Sequence, residues 1–263
     1  MVHMEKGVKA GVNTMVKMMV TTTALLLGAL TSAQTLTVFA ASSLTEAFET
    51  LAATFEEQQG TEVLLNFGAS SALATQIGQG APADVFASAD EAQMQVVKSA
   101  GLVTGEAQIF TRNRLVLITT EEGGVGSLEG LAEAGVLLVL AAPEVPVGNY
   151  AREALVKMNR VYGENFSERV LKNLVSEESN VRLVALKVEL GEADAAIVYE
   201  TDAAVLNNVV TIPIPDNLNV LGSYPVAALA GSAQPELAQA FIDLVLSDEG
   251  QAVLTERGFQ TPE

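Results

Sequence analysis

The sequence predicts an α/β protein with two lobes, each a mostly parallel sheet flanked by helices. Of the 263 residues, 49% are apolar and 17% are charged, a composition that forms a buried core. From residue 35 onwards, short apolar runs alternate with longer stretches of helical periodicity, which is typical of a parallel sheet covered on both faces. The alternation restarts near residue 131 without a linker rich in proline, glycine or serine. The restart therefore predicts two lobes that the chain joins by two crossing strands.

The first series of elements comes before residue 121. Its predicted strands and helices are, in chain order, strand 35–40, helix 44–57, strand 62–67, helix 73–77, strand 84–87, helix 91–100 and strand 115–120. Gly60 and Gly101 are expected to end the first and third helices, since glycine adopts the left-handed conformation that closes a helix.

The second series continues to the C-terminus. Its predicted elements are helix 131–134, strand 137–141, helices 150–161 and 181–190, strands 195–199, 209–213 and 225–230, and a helical stretch 235–257 interrupted near residues 247–250. Crossings between lobes are predicted at 114–120 and 223–230. Lobe 1 would thus comprise residues 34–114 and 225–263, and lobe 2 residues 115–224.

Residues 1–33 are typical of an export signal. Lys6, Lys9 and Lys17 precede the apolar stretch 18–30, and the small residues 31–33 suit cleavage after Ala33. The stretch is short for a membrane span, which needs about 20 apolar residues. Because position 34 is Gln and not the Cys of a lipid-anchored protein, the sequence predicts a free protein in the periplasm.

Charge and composition exclude several functions. Removing residues 1–33 takes away three lysines and one glutamate, so the formal net charge goes from −18 to −20, which repels nucleic acid. His3 is the one histidine and there is no cysteine, so the mature chain lacks Ser–His–Asp and Cys–His catalysis and the usual zinc ligands. Nucleotide-binding glycine motifs and Ser-x-x-Lys are absent too. We expect no enzyme and no cofactor; a hydrolase of phosphate or acyl esters is the alternative of a different class.

Serines follow two neighbouring strands where helices begin. Ser42 and Ser43 follow the first strand, and Ser43 with Glu46 fits a capping box, while Ser70 and Ser71 follow the second strand. A capping role explains either serine alone. Together, two helix starts at the carboxyl edge of one sheet predict an anion site without a cationic side chain.

The second lobe offers three further candidate segments. A turn shaped by Pro146 and Gly148 precedes a helix, and Asn180 is an expected cap of the next helix. Arg182 is expected to be a solvated surface charge. Tyr199 ends a buried strand, where an amphipathic side chain suits the edge of a core.

Four segments together resemble the periplasmic molybdate-binding proteins of ABC transporters. They are Thr-Val-Phe-Ala-Ala-Ser-Ser-Leu at 37–44, Gly-Ala-Pro-Ala-Asp-Val-Phe at 80–86 with Ser-Ala-Asp at 88–90, Pro-Glu-Val-Pro-Val-Gly at 143–148 with Tyr-Ala at 150–151, and Ile-Val-Tyr at 197–199. Each is modest alone, but their order and spacing cover the mature chain. The resemblance implies the two-lobed fold of periplasmic binding proteins, with molybdate or tungstate as ligand and a membrane permease as partner of a monomer.

The resemblance also implies the ligand-binding residues. Ser43 and Ser70 would each supply a hydroxyl and a backbone N–H, Val147 and Val181 a backbone N–H, and Tyr199 its phenolic O–H. Molybdenum would be held only within the oxyanion, without direct protein ligands. Val147 stands where alanine is usual, and Asn180 where aspartate is usual, so the cavity wall becomes bulkier and one loop changes its hydrogen bonding.

The identity of the anion has an alternative at this stage. Donors alone suit a fully ionised tetrahedral dianion, whereas hydrogen phosphate carries a proton that needs an acceptor. Sulfate, or another tetrahedral oxyanion, passes that test, and its exclusion would depend on cavity size. Ser42 and Ser71 are the alternatives to Ser43 and Ser70.

Overall fold

The computed structural model describes residues 34–122 and 124–262. The predicted export signal and its cleavage site fall largely on residues 1–33, outside the described residues. Within these ranges, no helix is long and apolar enough to cross a membrane.

Ten strands and nine α-helices alternate along the described chain. The strands are β1 (Thr35–Ala41), β2 (Glu62–Gly68), β3 (Val85–Ala87), β4 (Val103–Asn113), β5 (Leu115–Thr119), β6 (Leu138–Ala141), β7 (Leu174–Glu178), β8 (Ala195–Tyr199), β9 (Val210–Pro213) and β10 (Gly222–Leu229). The helices are α1 (Thr45–Gln59), α2 (Ser70–Gly78), α3 (Glu91–Ser99), α4 (Pro146–Tyr162), α5 (Phe166–Leu171), α6 (Val181–Glu189), α7 (Glu200–Ala204), α8 (Pro235–Leu246) and α9 (Asp248–Glu256). Short 3-10 turns cover Ser42–Leu44 and Glu129–Ala132.

The strands form two five-stranded sheets. The first has the order β2-β1-β3-β10-β4 and the second β7-β6-β8-β5-β9. In the first sheet only β10 runs against the others, and in the second only β5 does. The mostly parallel α/β architecture with helices on the sheets is therefore confirmed, and each sheet with its helices is called a lobe below.

The chain passes between the sheets at two adjacent places. Arg114 alone separates β4 of the first sheet from β5 of the second, and the return lies between β9 and β10. The Asn219 side chain joins the two connections: its Oδ1 accepts from the N–H of Leu115 at 3.0 Å, and its Nδ2 donates to the Leu115 carbonyl at 2.9 Å. The two connections are thus held side by side.

Several elements lie outside the predicted set. β4 begins with mostly exposed residues, β7 is a partly exposed strand at the edge of its sheet, and α5 and α7 are too short for a clear helical period. α4 begins at Pro146, four residues earlier than predicted, because proline fits the first position of a helix. Gly60, with φ 65°, does end α1, as predicted.

The predicted interruption of the last helix is also confirmed. α8 ends at Leu246, and the Ser247 hydroxyl then caps α9 by accepting from the N–H of Gly250 at 3.1 Å. α8 packs against α1 through Phe241, whose ring lies 5.9 Å from that of Phe48 and 5.4 Å from that of Phe55. A Cβ at Gly250 would lie 2.1 Å from the Leu244 carbonyl oxygen, so this junction requires glycine.

Gly250→Ala should therefore destabilise the fold by about 1–3 kcal/mol, because backbone must shift to accept the methyl group. Denaturant unfolding of the purified protein measures the change. Gly231→Ala is the control, since nothing lies within 4 Å of its added Cβ. Equal stability of the two variants would contradict this account of the junction.

Candidate functional site

A small cavity lies between the two lobes, with a volume of about 10 Å³ open to the centre of a water-sized sphere. Ser43, Ser70, Val147, Val181 and Tyr199, the five predicted ligand-binding residues, all line it. The remaining lining residues are Ala41, Ser42, Gly68, Ala69, Ala89, Val145 and Pro146. Residues separated by more than 150 positions in the sequence are thus brought to one place.

Helical segments from both lobes begin at this cavity. α2 begins at Ser70, α4 at Pro146 and α6 at Val181, and the 3-10 turn 42–44 leads into α1. The first N–H groups of a helix have no intrahelical acceptor and carry the positive end of its dipole. Proline has no N–H, so the N–H of Val147 is the first one that α4 can offer. The cavity wall is therefore electropositive without a cationic side chain.

The serine hydroxyls are held by different partners. Ser70 Oγ accepts from the N–H of Ala89 at 2.9 Å, which leaves its own proton available to the cavity. Ser43 Oγ lies 2.9 Å from the Tyr224 hydroxyl. The predicted capping box is wrong, since α1 has no side-chain cap and Glu46 pairs elsewhere. Of the alternative serines, Ser42 lines the cavity as well, whereas Ser71 does not.

Tyr199 places an unusual hydroxyl at the cavity. The residue is 1% exposed, and its hydroxyl has no hydrogen-bond partner in good geometry among the described residues, although the Tyr224 hydroxyl is near enough to interact with it. Burial raises the pKa of Tyr199 well above 10, so the phenol keeps its proton. A buried hydroxyl without a partner costs free energy, and this one is a ready donor to a group in the cavity.

Close backbone packing positions the Val147 N–H. A Cβ at the neighbouring Gly148 would lie 2.2 Å from the Ala142 carbonyl oxygen, so glycine is required there. Arg152, one turn along α4, donates at 2.8 Å to the carbonyl oxygens of both Ala141 and Gly148. The end of β6 and the start of α4 are thereby fastened together.

Arg182 was predicted to be a solvated surface charge, and that prediction is wrong. Its guanidinium pairs with Glu46 of the first lobe and donates to the Ser42 carbonyl at 3.2 Å. Its Nε also lies 2.8 Å from Oδ1 of Asp202, which is fully buried in the second lobe. A single side chain next to Val181 therefore bridges both walls of the cavity. Asn180 caps α6 as predicted, accepting from the N–H of Leu183 at 3.1 Å.

The groups that the cavity offers to a ligand are hydrogen-bond donors. Its lining contains no carboxylate, lysine, arginine or histidine. No group of three or more metal-binding side chains occurs within residues 34–122 and 124–262. The arrangement can hold a small fully ionised anion by hydrogen bonds, and it offers no side-chain carboxylate to accept a ligand's proton.

The buried carboxyl of Asp202 should make stability depend on pH. Burial raises its pKa from 3.8 to about 7; nearby Glu46 adds to this rise, whereas Arg182 opposes it. Between these two pH values, the Asp202 carboxyl keeps a proton in the folded protein that it has released in the unfolded chain. The free energy of unfolding should therefore fall as the pH rises through this window. Asp202→Asn cannot titrate.

Denaturant unfolding of both proteins across this pH range tests the prediction. The free energy of unfolding of the unsubstituted protein, minus that of Asp202→Asn, should decrease from about pH 4 to pH 7 and then level off. Parallel pH profiles would rule out a raised pKa for Asp202.

Known proteins resemble this chain over most of its length. The molybdate-binding protein ModA of Mycobacterium tuberculosis is 37% identical over 234 residues, covering 88% of this chain and 86% of its own. ModA of Escherichia coli is 32% identical over 234 residues, covering 85% and 88%. These relatives confirm the resemblance to molybdate-binding proteins that the four sequence segments indicate.

The fold is shared with a solved structure. The periplasmic molybdate-binding protein of Azotobacter vinelandii superposes with a TM-score of 0.76 over 87% of this chain and all of its own, at 24% identity. A family model described as bacterial extracellular solute-binding protein matches residues 36–260. The chain therefore belongs to the bacterial extracellular solute-binding protein family.

Proposed function

We propose that this protein captures molybdate or tungstate in the cavity between its lobes and delivers it to the permease of an ABC transporter. The ligand-binding residues are Ser43, Ser70, Val147, Val181 and Tyr199. The proposal rests on the convergence of neutral donors from both lobes on one cavity, and on relatives that are molybdate-binding proteins.

The donor set favours an anion without protons. Molybdate and tungstate are fully deprotonated near neutral pH and accept hydrogen bonds on every oxygen. Hydrogen phosphate would direct its proton at a donor, which costs binding free energy. Sulfate carries no proton, and a cavity built for a larger anion would leave its oxygens short of some donors. Sulfate remains the second candidate, and direct binding decides between the two.

The bridge made by Arg182 suits a closed form around the ligand. It links the 3-10 turn that carries Ser43 to the helix start that carries Val181. Opening of the lobes would separate these groups, and a bound anion contacting both would favour closure. A permease could then recognise the closed form.

The location follows from the predicted export signal. We place the mature protein in the periplasm as a monomer, after cleavage following Ala33. In this role it needs no cofactor and performs no catalysis, because the anion is bound and released intact, without any covalent bond being formed or broken.

Calorimetric titration of dialysed mature protein tests the proposal directly. Molybdate and tungstate should each bind at one site per chain, with sulfate and phosphate much weaker at equal ionic strength. Tight binding of sulfate alone would mean that the same donor site binds sulfate, the second candidate. Failure of all four anions to bind ligand-free protein would end the oxyanion proposal.

Tyr199→Phe provides a clean test of one donor. The hydroxyl makes no hydrogen bond of good geometry within the described protein, so its removal should change the unfolding midpoint little. Molybdate affinity should fall about 5- to 150-fold, the loss expected for one buried hydrogen bond to a charged group. Tyr162→Phe, at the other end of α4, is the matched control. Unchanged affinity in Tyr199→Phe would remove Tyr199 from the site.

A further inference from the structure

Arg182 lies between two carboxyl groups that belong to different lobes. From α6 of the second lobe, its guanidinium pairs with Glu46 on α1 of the first lobe. Its Nε also lies 2.8 Å from Oδ1 of Asp202, on α7 of the second lobe. Opening of the lobes would therefore break the contact with Glu46 and leave Arg182 beside Asp202.

The guanidinium gives its hydrogen bonds to the first lobe. Nε donates to the Ser42 carbonyl at 3.2 Å, and a terminal nitrogen donates to Glu46. Asp202 is fully buried, and neither of its carboxyl oxygens makes a hydrogen bond of good geometry among the described residues. Since a buried carboxylate without hydrogen bonds is costly, this arrangement favours the protonated form of Asp202.

The first lobe also supplies two of the titratable groups that face Asp202. Burial is the main cause that raises the pKa of Asp202 to about 7; Glu46 adds to the rise and Arg182 opposes it. Tyr224, on β10, faces Asp202 as well, and burial raises the pKa of Tyr224 above its ordinary value of 10, so this phenol stays neutral. The negative charge that disfavours the Asp202 carboxylate thus comes from the opposite lobe.

Opening of the lobes would change this balance. The Ser42 carbonyl and Glu46 would move away with the first lobe, and the N–H groups of Arg182 would be free to donate to Asp202. Charge-assisted hydrogen bonds and the loss of a nearby negative charge both favour the carboxylate. The pKa of Asp202 should therefore be lower in the open form than in the closed form.

We propose that closure of the lobes around an anion takes up a proton at Asp202, and that Arg182 and Glu46 couple the two events. This inference rests on the proposed function of the site. The coupling is reciprocal, so protonation of Asp202 should favour closure and strengthen anion binding. Anion affinity should be greatest below the pKa of the open form, fall as the pH rises towards that of the closed form, and level off above it.

Calorimetric titration with molybdate at about pH 6 and pH 8 tests the inference, since molybdate itself carries no proton in this range. The affinity of the unsubstituted protein should be about five- to tenfold lower at the higher pH, because uptake of one proton changes affinity by at most about tenfold per pH unit. Asp202→Asn, which cannot titrate, should bind molybdate equally well at both pH values. The one histidine of the sequence, His3, lies in the predicted export signal, so no histidine of the mature chain titrates here.

Proton uptake can also be measured without any variant. Titrations of the unsubstituted protein in two buffers of different ionisation enthalpy give the number of protons exchanged on binding. About half a proton or more should be taken up per molybdate near pH 6.5, and almost none near pH 8.5. Molybdate binding without proton uptake near pH 6.5 would overturn the inference and leave the proposed function standing, whereas no molybdate binding at all would mean that the proposed function fails.

Glu46→Gln separates coupling across the cavity from the burial of Asp202 in general. Glutamine keeps the size of the side chain and removes its charge, so the difference in molybdate affinity between the two pH values should shrink. Glu49→Gln, the same change at an exposed position on α1, is the matched control and should keep the full difference. An unchanged difference in Glu46→Gln would overturn the role of Glu46 in the coupling.

Discussion

The site depends on backbone N–H groups at the starts of helices, because the rest of the molecule repels its proposed ligand. The full chain carries a formal net charge of −18, and no cationic side chain lines the cavity. An anion must therefore be held by donors that act over a few ångströms, where the water-excluding surroundings strengthen them. Helix starts at the edges of two mostly parallel sheets provide such donors from both sides.

This constraint explains why buried polar groups gather behind the cavity wall. Donors have to be held in place while remaining free to bind, and three of them are supported by a partner further inside. Ser70 is held by the N–H of Ala89 and Ser43 by Tyr224, and the start of α4 is held by Arg152. Arg182 similarly holds the two lobes together. Its partner Asp202 is fully buried, and this burial raises the pKa of the Asp202 carboxyl to about 7.

Local sequence signals predicted most of the elements, and the five ligand-binding residues that the family resemblance implies all line one cavity. Gly60 as a helix end, Asn180 as a cap and the break near Ser247 all depend on neighbours within four residues, which a sequence displays directly. The resemblance to a known family, rather than periodicity, singled out Val147 and Tyr199.

Local sequence signals could not predict the contacts that hold the donors in place. Tyr224 lies 181 positions from Ser43, and Arg182 lies 136 positions from Glu46, so nothing local indicates either pair. The capping-box prediction for Ser43 failed for the same reason: a distant tyrosine, rather than the adjacent helix, binds its hydroxyl. The edge strands β4 and β7 were missed because their polar residues leave no continuous apolar run.

The use of main-chain donors at positions 147 and 181 has an evolutionary consequence. Any residue except proline keeps its N–H, so mutation at either position can change the width of the cavity without changing how many hydrogen bonds it offers. Size and polarity of the site can therefore drift independently. Relatives could come to prefer anions of different radius through single side-chain changes such as the valine at 147, while the polar framework stays intact.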